Sequence, residues 1–139
     1  MTRIIAGEAR GRTIKVPTEG TRPTADRARE GLFSSLAARW GFAGSSVLDL
    51  FAGSGALGLE AASRGAEEIV LVESSADAVK IIRHNMGVVK HPGVRVQEMK
   101  VGTYLGSAPR RHFDLVLADP PYAFDEVDEL IAAIEPVLC

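Results

Sequence analysis

A chain of 139 residues that is 46% hydrophobic and 24% charged has the composition of a single globular domain. It contains no apolar run of about 18 residues and no signal-peptide pattern near Arg3, so we expect no signal peptide, no membrane span and no membrane partner. Cys139 is the one cysteine, which excludes an internal disulfide and a thiolate metal site. We therefore expect a cytoplasmic protein without a metal centre.

The formal net charge of −2 conceals an uneven distribution along the chain. Residues 1–29 carry seven basic and three acidic side chains, so the remainder has a net charge of −6. A basic arm on an acidic body is typical of nucleic-acid binding, although a solvated, flexible tail has the same charge. Two short apolar stretches at 4–6 and 13–16 predict a β-hairpin around residues 7–11, which would hold the arginines in fixed positions.

A helical pattern follows the predicted hairpin. Thr24 is a candidate N-cap, and the apolar face of the helix would comprise Ala28, Leu32, Leu36 and Trp40, with Trp40 in the core. We therefore divide the chain into a basic hairpin arm at residues 1–23 and a main domain at residues 24–139.

The main domain alternates between extended and helical patterns. We predict strands at 47–51, 69–73, 94–98 and 113–118 and helices at 56–64, 75–86 and 125–135. Gly65 and Gly87 would end the first two of these helices. Nearly all-apolar strands that alternate with helices indicate an α/β fold whose parallel sheet is covered on both faces.

A glycine-rich loop joins the first of these strands to its helix. The segment 53–58 has the pattern G-x-G-x-x-G, which places backbone N–H groups beside a nucleotide-like cofactor. Glu73, twenty residues after Gly53, is suited to bind ribose hydroxyls, and this arrangement serves NAD and S-adenosylmethionine equally. Asp49 favours S-adenosylmethionine, because a carboxylate there would meet a cationic amino-acid group and repel a pyrophosphate. A glycine turn that merely packs the helix on the sheet is the alternative.

The segment Asp119–Pro120–Pro121–Tyr122 follows the last predicted strand. Two prolines fix the backbone and remove two N–H donors, which leaves stiff carbonyl acceptors. The Asp119 carboxylate and the Pro120 carbonyl would then accept both hydrogens of an exocyclic –NH2 group, while Tyr122 stacks on the base. This arrangement predicts methyl transfer to a nucleobase amine, although an ordinary Pro-Pro loop has the same composition.

These motifs resemble those of the RsmD family of bacterial 16S rRNA (guanine-N2)-methyltransferases. The more specific part of the resemblance is N-terminal, in the segments 3–7, 11–12, 21–24 and 29–33. The resemblance implies a class I S-adenosylmethionine-dependent methyltransferase (Rossmann-like) sheet with an N-terminal β-hairpin extension. It also implies a 16S rRNA substrate, either in the small ribosomal subunit or in an assembly intermediate, and S-adenosylhomocysteine as product.

The motifs and the resemblance together give a set of candidate site residues. The candidate catalytic residues are Asp119, Pro120, Pro121 and Tyr122. The candidate cofactor-binding residues are Asp49, Phe51, Ala52, Gly53, Ser54, Gly55, Glu73 and Val101. The candidate RNA-binding residues are Arg3, Arg10, Arg12, Lys15 and Arg22.

The chain departs from the family pattern in two places. Lys100 stands where such enzymes often have an acid or an asparagine, so we expect backbone near Val101 and apolar walls to hold adenine. The chain also stops at 136–139, where the family fold would begin a fifth strand, so we expect the C-terminal strands to be missing. The full-length protein is expected to be a monomer.

Three alternatives of different kinds stay open. An adenine-N6 methyltransferase acting on DNA or RNA would use the same chemistry on another base. A shortened, non-catalytic module would bind the cofactor or RNA without turnover. An NAD-dependent dehydrogenase would share the glycine loop, and binding of S-adenosylhomocysteine but not NAD would exclude it.

Overall fold

The computed structural model describes residues 2–16, 23–120 and 125–139 of the protein, with the side chains of 23–26 left out. Arg22, Pro121 and Tyr122 lie outside the described residues, so their predicted roles stay predictions. Across the described ranges, every helix is too short or too polar to cross a bilayer.

The described strands and helices follow the predicted order, with one additional helix between the last two strands. The N-terminal hairpin comprises β1 (Thr2–Arg3) and β2 (Thr13–Ile14), and α1 (Pro23–Arg39) follows it. The remaining elements are β3 (Ser46–Leu50), α2 (Ala56–Ser63), β4 (Glu68–Glu73), α3 (Ala76–Val89), β5 (Val94–Glu98), α4 (Val101–Ser107), β6 (Leu115–Ala118), α5 (Val127–Ile134) and a 3₁₀ turn (Glu135–Val137).

A parallel sheet with the strand order β5-β4-β3-β6 forms the centre of the described fold. Leu50 pairs with Val72 on one side and with Ala118 on the other, so β3, β4 and β6 end at one edge of the sheet. The predicted α/β class and the parallel sheet are confirmed. Residues 136–139 run parallel to residues 111–113, which precede β6, with one bridge between Phe113 and Leu138.

The core lies on both faces of this sheet, because alternate strand residues point in opposite directions. Val47, Ile69 and Leu71 pack on one face with α2, α3 and the hairpin. Leu48, Leu50, Val70 and Val72 pack on the other face with Tyr104, Phe113 and Val137. The nearly all-apolar strands of the sequence are thus explained by burial on both faces.

The hairpin is antiparallel, as predicted, but its first strand is shorter and earlier than the 4–6 stretch. Thr2 pairs with Ile14 and Arg3 with Thr13. The backbone N–H groups of Ile5 and Ala6 leave this ladder and donate to the carboxylate of Glu60, at 2.8 and 3.1 Å. A buried side-chain acceptor therefore ends the strand.

Helix α1 buries only part of the face predicted for it, since Leu36 packs against the core but its other predicted members are exposed. Phe33 and Arg29 are buried, whereas Leu32 and Trp40 are 41% and 45% exposed, so the prediction of a core Trp40 was wrong. The Phe33 ring packs on Phe42 at 5.5 Å between centroids, and the Arg64 guanidinium lies over it at 5.2 Å. These contacts place Phe33, rather than the neighbouring Leu32, in the core. The helix also begins at Pro23, before the predicted cap Thr24.

Two further predictions need correction in the helices that follow. Helix α3 continues past Gly87 to Val89, where Lys90 in a left-handed conformation with φ 56° ends it. Helix α4 was not predicted, because its seven residues include two glycines and so short a helix gives little periodic signal. The predicted stop of α2 at Gly65 agrees with its φ of 114°.

Candidate active site at the carboxyl edge of the sheet

Three strands bring the predicted cofactor and catalytic residues to one edge of the sheet. The glycine loop follows β3, Glu73 ends β4, and Asp119 follows β6. In open α/β sheets the crevice beyond the carboxyl ends of the strands is where ligands bind. The parallel register therefore makes neighbours of residues that are distant along the chain.

The glycine loop is held in one conformation by backbone hydrogen bonds. The Gly55 N–H donates to the Ala52 carbonyl at 2.8 Å, and the Ala52 N–H donates to the Val72 carbonyl at 3.0 Å. Phe51, Gly53 and Gly55 have φ values of 57°, 60° and 82°, in the left-handed region that costs glycine least. This conformation explains the two glycines of the loop, and the strained Phe51 lines a cavity beside it.

The third glycine of the motif has a packing role. A Cβ atom at Gly58 would collide with the buried Leu71 side chain on β4, so any other residue here would require that side chain to shift. The same close approach lets the Gly58 N–H donate to Asp49 Oδ2 at 3.0 Å. The motif thus supplies a backbone donor to the strand as well as a turn for the loop.

Asp49 is a buried carboxylate with one open acceptor. Its side chain lies on β3 and the residue is 1% exposed. Oδ2 accepts the Gly58 N–H, whereas Oδ1 has no hydrogen-bond partner among the described residues. Burial raises the pKa of Asp49 to about 7; the Gly58 hydrogen bond opposes this shift, while the charges of Asp119 and Glu73 add to it. A cationic ligand at Oδ1 would favour the ionised carboxylate and so oppose the burial and the negative charges that raise this pKa.

Glu73 is oriented by two backbone donors. Its Oε1 accepts the Gly53 N–H at 2.9 Å, and its Oε2 accepts the Ser75 N–H at 2.8 Å. The residue is partly exposed at the cavity, and each carboxylate oxygen retains further acceptor capacity. The carboxylate is therefore pre-positioned to accept hydroxyl hydrogens from a ligand above the loop.

A cavity of about 740 Å³ opens beside the loop. Its walls come from the ends of β3 and β4, from the start of α4 and from α5, and they are mainly apolar. The residues that sequence reasoning did not assign to it are Val72, Ser74, Lys100, Gly102, Thr103, Leu105, Glu126, Glu129, Leu130 and Ala133. The volume is in the range of pockets that hold small organic ligands. Val101 lines this cavity at the first turn of α4, and its role toward adenine stays a prediction.

Asp119 and Pro120 follow β6 at the same edge. Asp119 is exposed, and its charge contributes to the raised pKa of Asp49, so the two carboxylates share one region. Pro120 is half-buried. Their partners in the motif, Pro121 and Tyr122, are outside the described residues.

The predicted RNA-binding residues of the hairpin have different surroundings. Arg3, Arg10 and Lys15 are exposed. Arg12 is also exposed, but its guanidinium Nη1 donates to the Val88 and Val89 carbonyls at 3.3 and 3.0 Å, where α3 ends. Arg12 therefore anchors the hairpin in addition to carrying charge.

Sequence reasoning missed two buried polar residues that organise the site. Glu60 accepts N–H groups of the hairpin, and Asn85 contacts both the hairpin and the glycine loop. Asn85 had a detectable signal, because it stands beside the buried Ile82 on the face of α3 that packs into the core. Glu60 and Arg64 have the i, i+4 spacing that is typical of an ion pair on the exposed face of a helix. This spacing therefore gave no indication that the two side chains are largely buried.

Known proteins are similar to this chain in sequence and in structure. The Escherichia coli K12 protein named Ribosomal RNA small subunit methyltransferase D is 39% identical over 134 residues, covering 96% of this chain and 66% of that protein. The structure of the E. coli protein yhhF matches at TM-score 0.85 and 38% identity, covering 99% of this chain and 74% of the other. This chain spans between 66% and 73% of the length of the curated relatives that it matches.

More distant structures share the fold. The Geobacter metallireducens precorrin-6y C5,15-methyltransferase matches at TM-score 0.73 and 20% identity, covering 91% of this chain and 63% of the other. The fold is therefore that of class I methyltransferases, as predicted. The family model described as conserved hypothetical protein 95 matches residues 2–138. The predicted resemblance is thus confirmed, and the chain belongs to the RsmD family.

Proposed function

We propose that this chain is the core of an S-adenosylmethionine-dependent methyltransferase that modifies the exocyclic N2 amine of a guanine in 16S rRNA. The observation that carries the proposal is the open Oδ1 of Asp49, a buried carboxylate oxygen without a partner among the described residues. Buried acceptors are nearly always satisfied, so an unsatisfied one at a ligand-binding edge indicates a missing cationic or donor group.

The residues present fit S-adenosylmethionine. Asp49 would bind the α-ammonium group, Glu73 the ribose hydroxyls, and the apolar cavity at Val101 and Leu105 the adenine ring. NAD fits less well, because its pyrophosphate would meet the carboxylate of Asp49. When bound, the cofactor supplies a methyl group that its sulfonium centre activates for displacement.

Asp119 and Pro120 would then prepare the amine. The Asp119 carboxylate and the Pro120 carbonyl accept the two N–H hydrogens, which directs the nitrogen lone pair toward the methyl group. Asp119 also accepts the proton that the amine releases after transfer. Pro121 and Tyr122 complete this arrangement in the proposal, with Tyr122 stacking on the guanine.

The rRNA substrate is inferred from the relatives and from the hairpin. The E. coli relative is named for the small-subunit rRNA, and the exposed Arg3, Arg10 and Lys15 give the hairpin positive charge for RNA phosphates. We further propose the small ribosomal subunit, or an intermediate in its assembly, as the partner, and a monomer as the active form of the full-length protein. In this division of labour residues 1–23 bind RNA and residues 24–139 hold the cofactor.

The test is methyl transfer from labelled S-adenosylmethionine to small ribosomal subunits from cells that lack this guanine-N2 modification. Label recovered as N2-methylguanosine is the expected result. Label in N6-methyladenosine would replace the proposal with the adenine-N6 alternative. Binding of S-adenosylhomocysteine without transfer would instead identify a non-catalytic module.

We predict that Asp119→Ala reduces methyl transfer by about 10²–10⁴-fold, because the amine loses its charged acceptor and its base. Cofactor affinity should stay within a few-fold of wild type, since the proposed contacts of Asp119 are to the base. Asp77→Ala, which removes an exposed carboxylate from the first turn of α3, is the matched control and should retain activity. A collapse of cofactor affinity in the Asp119 variant would contradict this role.

A further inference from the structure

Asn85 is a buried side chain that joins two regions with different proposed roles. The residue is 0% exposed on α3. Its Oδ1 accepts the Lys15 N–H at 2.8 Å, and its Nδ2 donates to the Lys15 carbonyl at 2.8 Å. The same Nδ2 donates to the Ser54 carbonyl at 2.9 Å. One carboxamide therefore connects the hairpin backbone directly to the centre of the glycine loop.

This connection constrains how the two regions move. Withdrawal of either region would leave buried amide or carbonyl groups without partners, which is costly in a protein interior. Ile82, the neighbouring buried residue on α3, is apolar and needs no hydrogen-bond partner. The hairpin at Lys15 and the loop at Ser54 therefore favour one relative arrangement, and a ligand that orders one region orders the other.

We propose that Asn85 is a positioning residue that couples RNA binding on the hairpin to cofactor binding in the glycine loop. This inference rests on the proposed function, since it assigns RNA to the hairpin and S-adenosylmethionine to the loop. Coupling of this kind is reciprocal, so RNA raises the cofactor affinity by the factor by which the cofactor raises the RNA affinity. The device would favour methyl transfer when both substrates are present.

Ser63 provides a matched control for this role. Its hydroxyl accepts the Ala9 N–H at 2.9 Å and donates to the Ala6 carbonyl at 2.6 Å. Ser63 therefore anchors the hairpin to α2, as Asn85 anchors it to α3, but its hydroxyl bonds do not include the glycine loop. Ser63→Ala loosens the hairpin while the Asn85 bridge stays intact.

The coupling is measured as the ratio of S-adenosylhomocysteine Kd values without and with unmodified small ribosomal subunits. We expect a ratio of about fivefold or more for the wild type and for Ser63→Ala. In Asn85→Asp an oxygen replaces the amide donor and faces two carbonyls, so the ratio should fall to between about one and two. A retained ratio in Asn85→Asp, or an equal loss in Ser63→Ala, would overturn the proposal.

Hydrogen exchange on the wild type tests the same coupling without a variant that must fold. S-adenosylhomocysteine alone should slow exchange of the Lys15 amide, which donates to Asn85, more than that of the Ile4 amide, which donates to Arg12 within the hairpin. Unchanged Lys15 exchange in the bound protein would overturn the coupling. Lys15 protection without methyl transfer would overturn the proposed function alone, and absence of S-adenosylhomocysteine binding would overturn both.

Discussion

Two buried carboxylates, Glu60 on α2 and Asp49 on β3, have different surroundings. We call the hairpin around Glu60 the anchored region and the glycine loop around Asp49 the open region. Glu60, beneath the hairpin, is 0% exposed and accepts from the Ile5 and Ala6 N–H groups and from Arg64 Nε at 2.8 Å. Asp49, beneath the glycine loop, is 1% exposed, and among the described residues only the Gly58 N–H donates to it. The carboxylate of Glu60 is compensated by partners within the chain, whereas that of Asp49 keeps one oxygen without a partner among the described residues.

The difference shows how the same kind of side chain serves stability in one region and binding in the other. A buried charge with a cation and two N–H donors can hold secondary structure elements together. A buried charge with one donor is destabilising by itself, and the raised pKa of Asp49 records that cost. Natural proteins retain such residues where a ligand offsets the cost.

The largest expected effect comes from breaking the anchored region. Glu60→Ala leaves Arg64 without its buried partner and two hairpin N–H groups without an acceptor, so the free energy of unfolding should fall by about 3–5 kcal/mol. Urea unfolding at pH 7 measures this change. Glu67→Ala, at an exposed position, is the control and should change stability little. A loss below about 1 kcal/mol for Glu60→Ala would show that the anchor is not structural.

A substitution of Asp49 in the open region should instead raise the free energy of unfolding. The pKa of Asp49 is about 7 when folded against 3.8 for the free side chain, so the folded protein holds a proton that the unfolded chain loses. Stability from this proton is present below about pH 4 and is lost as the pH rises through about 7. An asparagine at this position cannot ionise, and Asp49→Asn should therefore gain stability relative to wild type between about pH 5 and pH 8, by at most about 4 kcal/mol.

Urea unfolding of both proteins at the two pH values measures this gain. Asp77→Asn, at an exposed site, controls for the general effect of charge. An Asp49→Asn difference that is equal at the lower and the higher pH would mean that Asp49 is already ionised at the lower one.

The smallest effect concerns the outer surface of the anchored hairpin. Arg10→Ala removes one exposed positive charge, so RNA binding should weaken modestly. The slope of log K against log salt concentration should become shallower by the amount that corresponds to about one phosphate contact. Arg12 is a poorer test, because its guanidinium also anchors the hairpin to α3. Arg110→Ala removes an exposed charge before β6 and serves as the control. A salt dependence that is unchanged in Arg10→Ala would remove Arg10 from the RNA contacts.

Much of the architecture was predictable because local sequence patterns indicate each strand and helix, and the order of these elements indicates how they are arranged in the fold. Strands buried on both faces are almost wholly apolar, and the glycine pattern marks the turn of β3 into α2. The parallel register then follows from the alternation of strands and helices, and it places Asp49, Glu73 and Asp119 at one edge.

The remainder depended on tertiary contacts that local patterns do not encode. Trp40 has helical spacing, but the contacts of Phe33 with Phe42 and Arg64 decide which face of α1 is buried. The wall of the cavity from α5 depends on how that helix docks, and its Leu130 and Ala133 have no motif. The bridge from Asn85 to Lys15 and Ser54 spans 70 and 31 residues, so no local pattern records it.

Calorimetric titration of S-adenosylhomocysteine into the wild-type chain and Asp49→Asn is the most direct test of the central claim. At about pH 6, a cation at Oδ1 should displace the proton of Asp49, so wild-type binding should release between about half a proton and one proton. Two buffers of different ionisation enthalpy measure that release. Asp49→Asn should bind about 10–100-fold more weakly and release none. Equal affinity and equal proton release in both proteins would contradict the assignment of Asp49 to the cofactor.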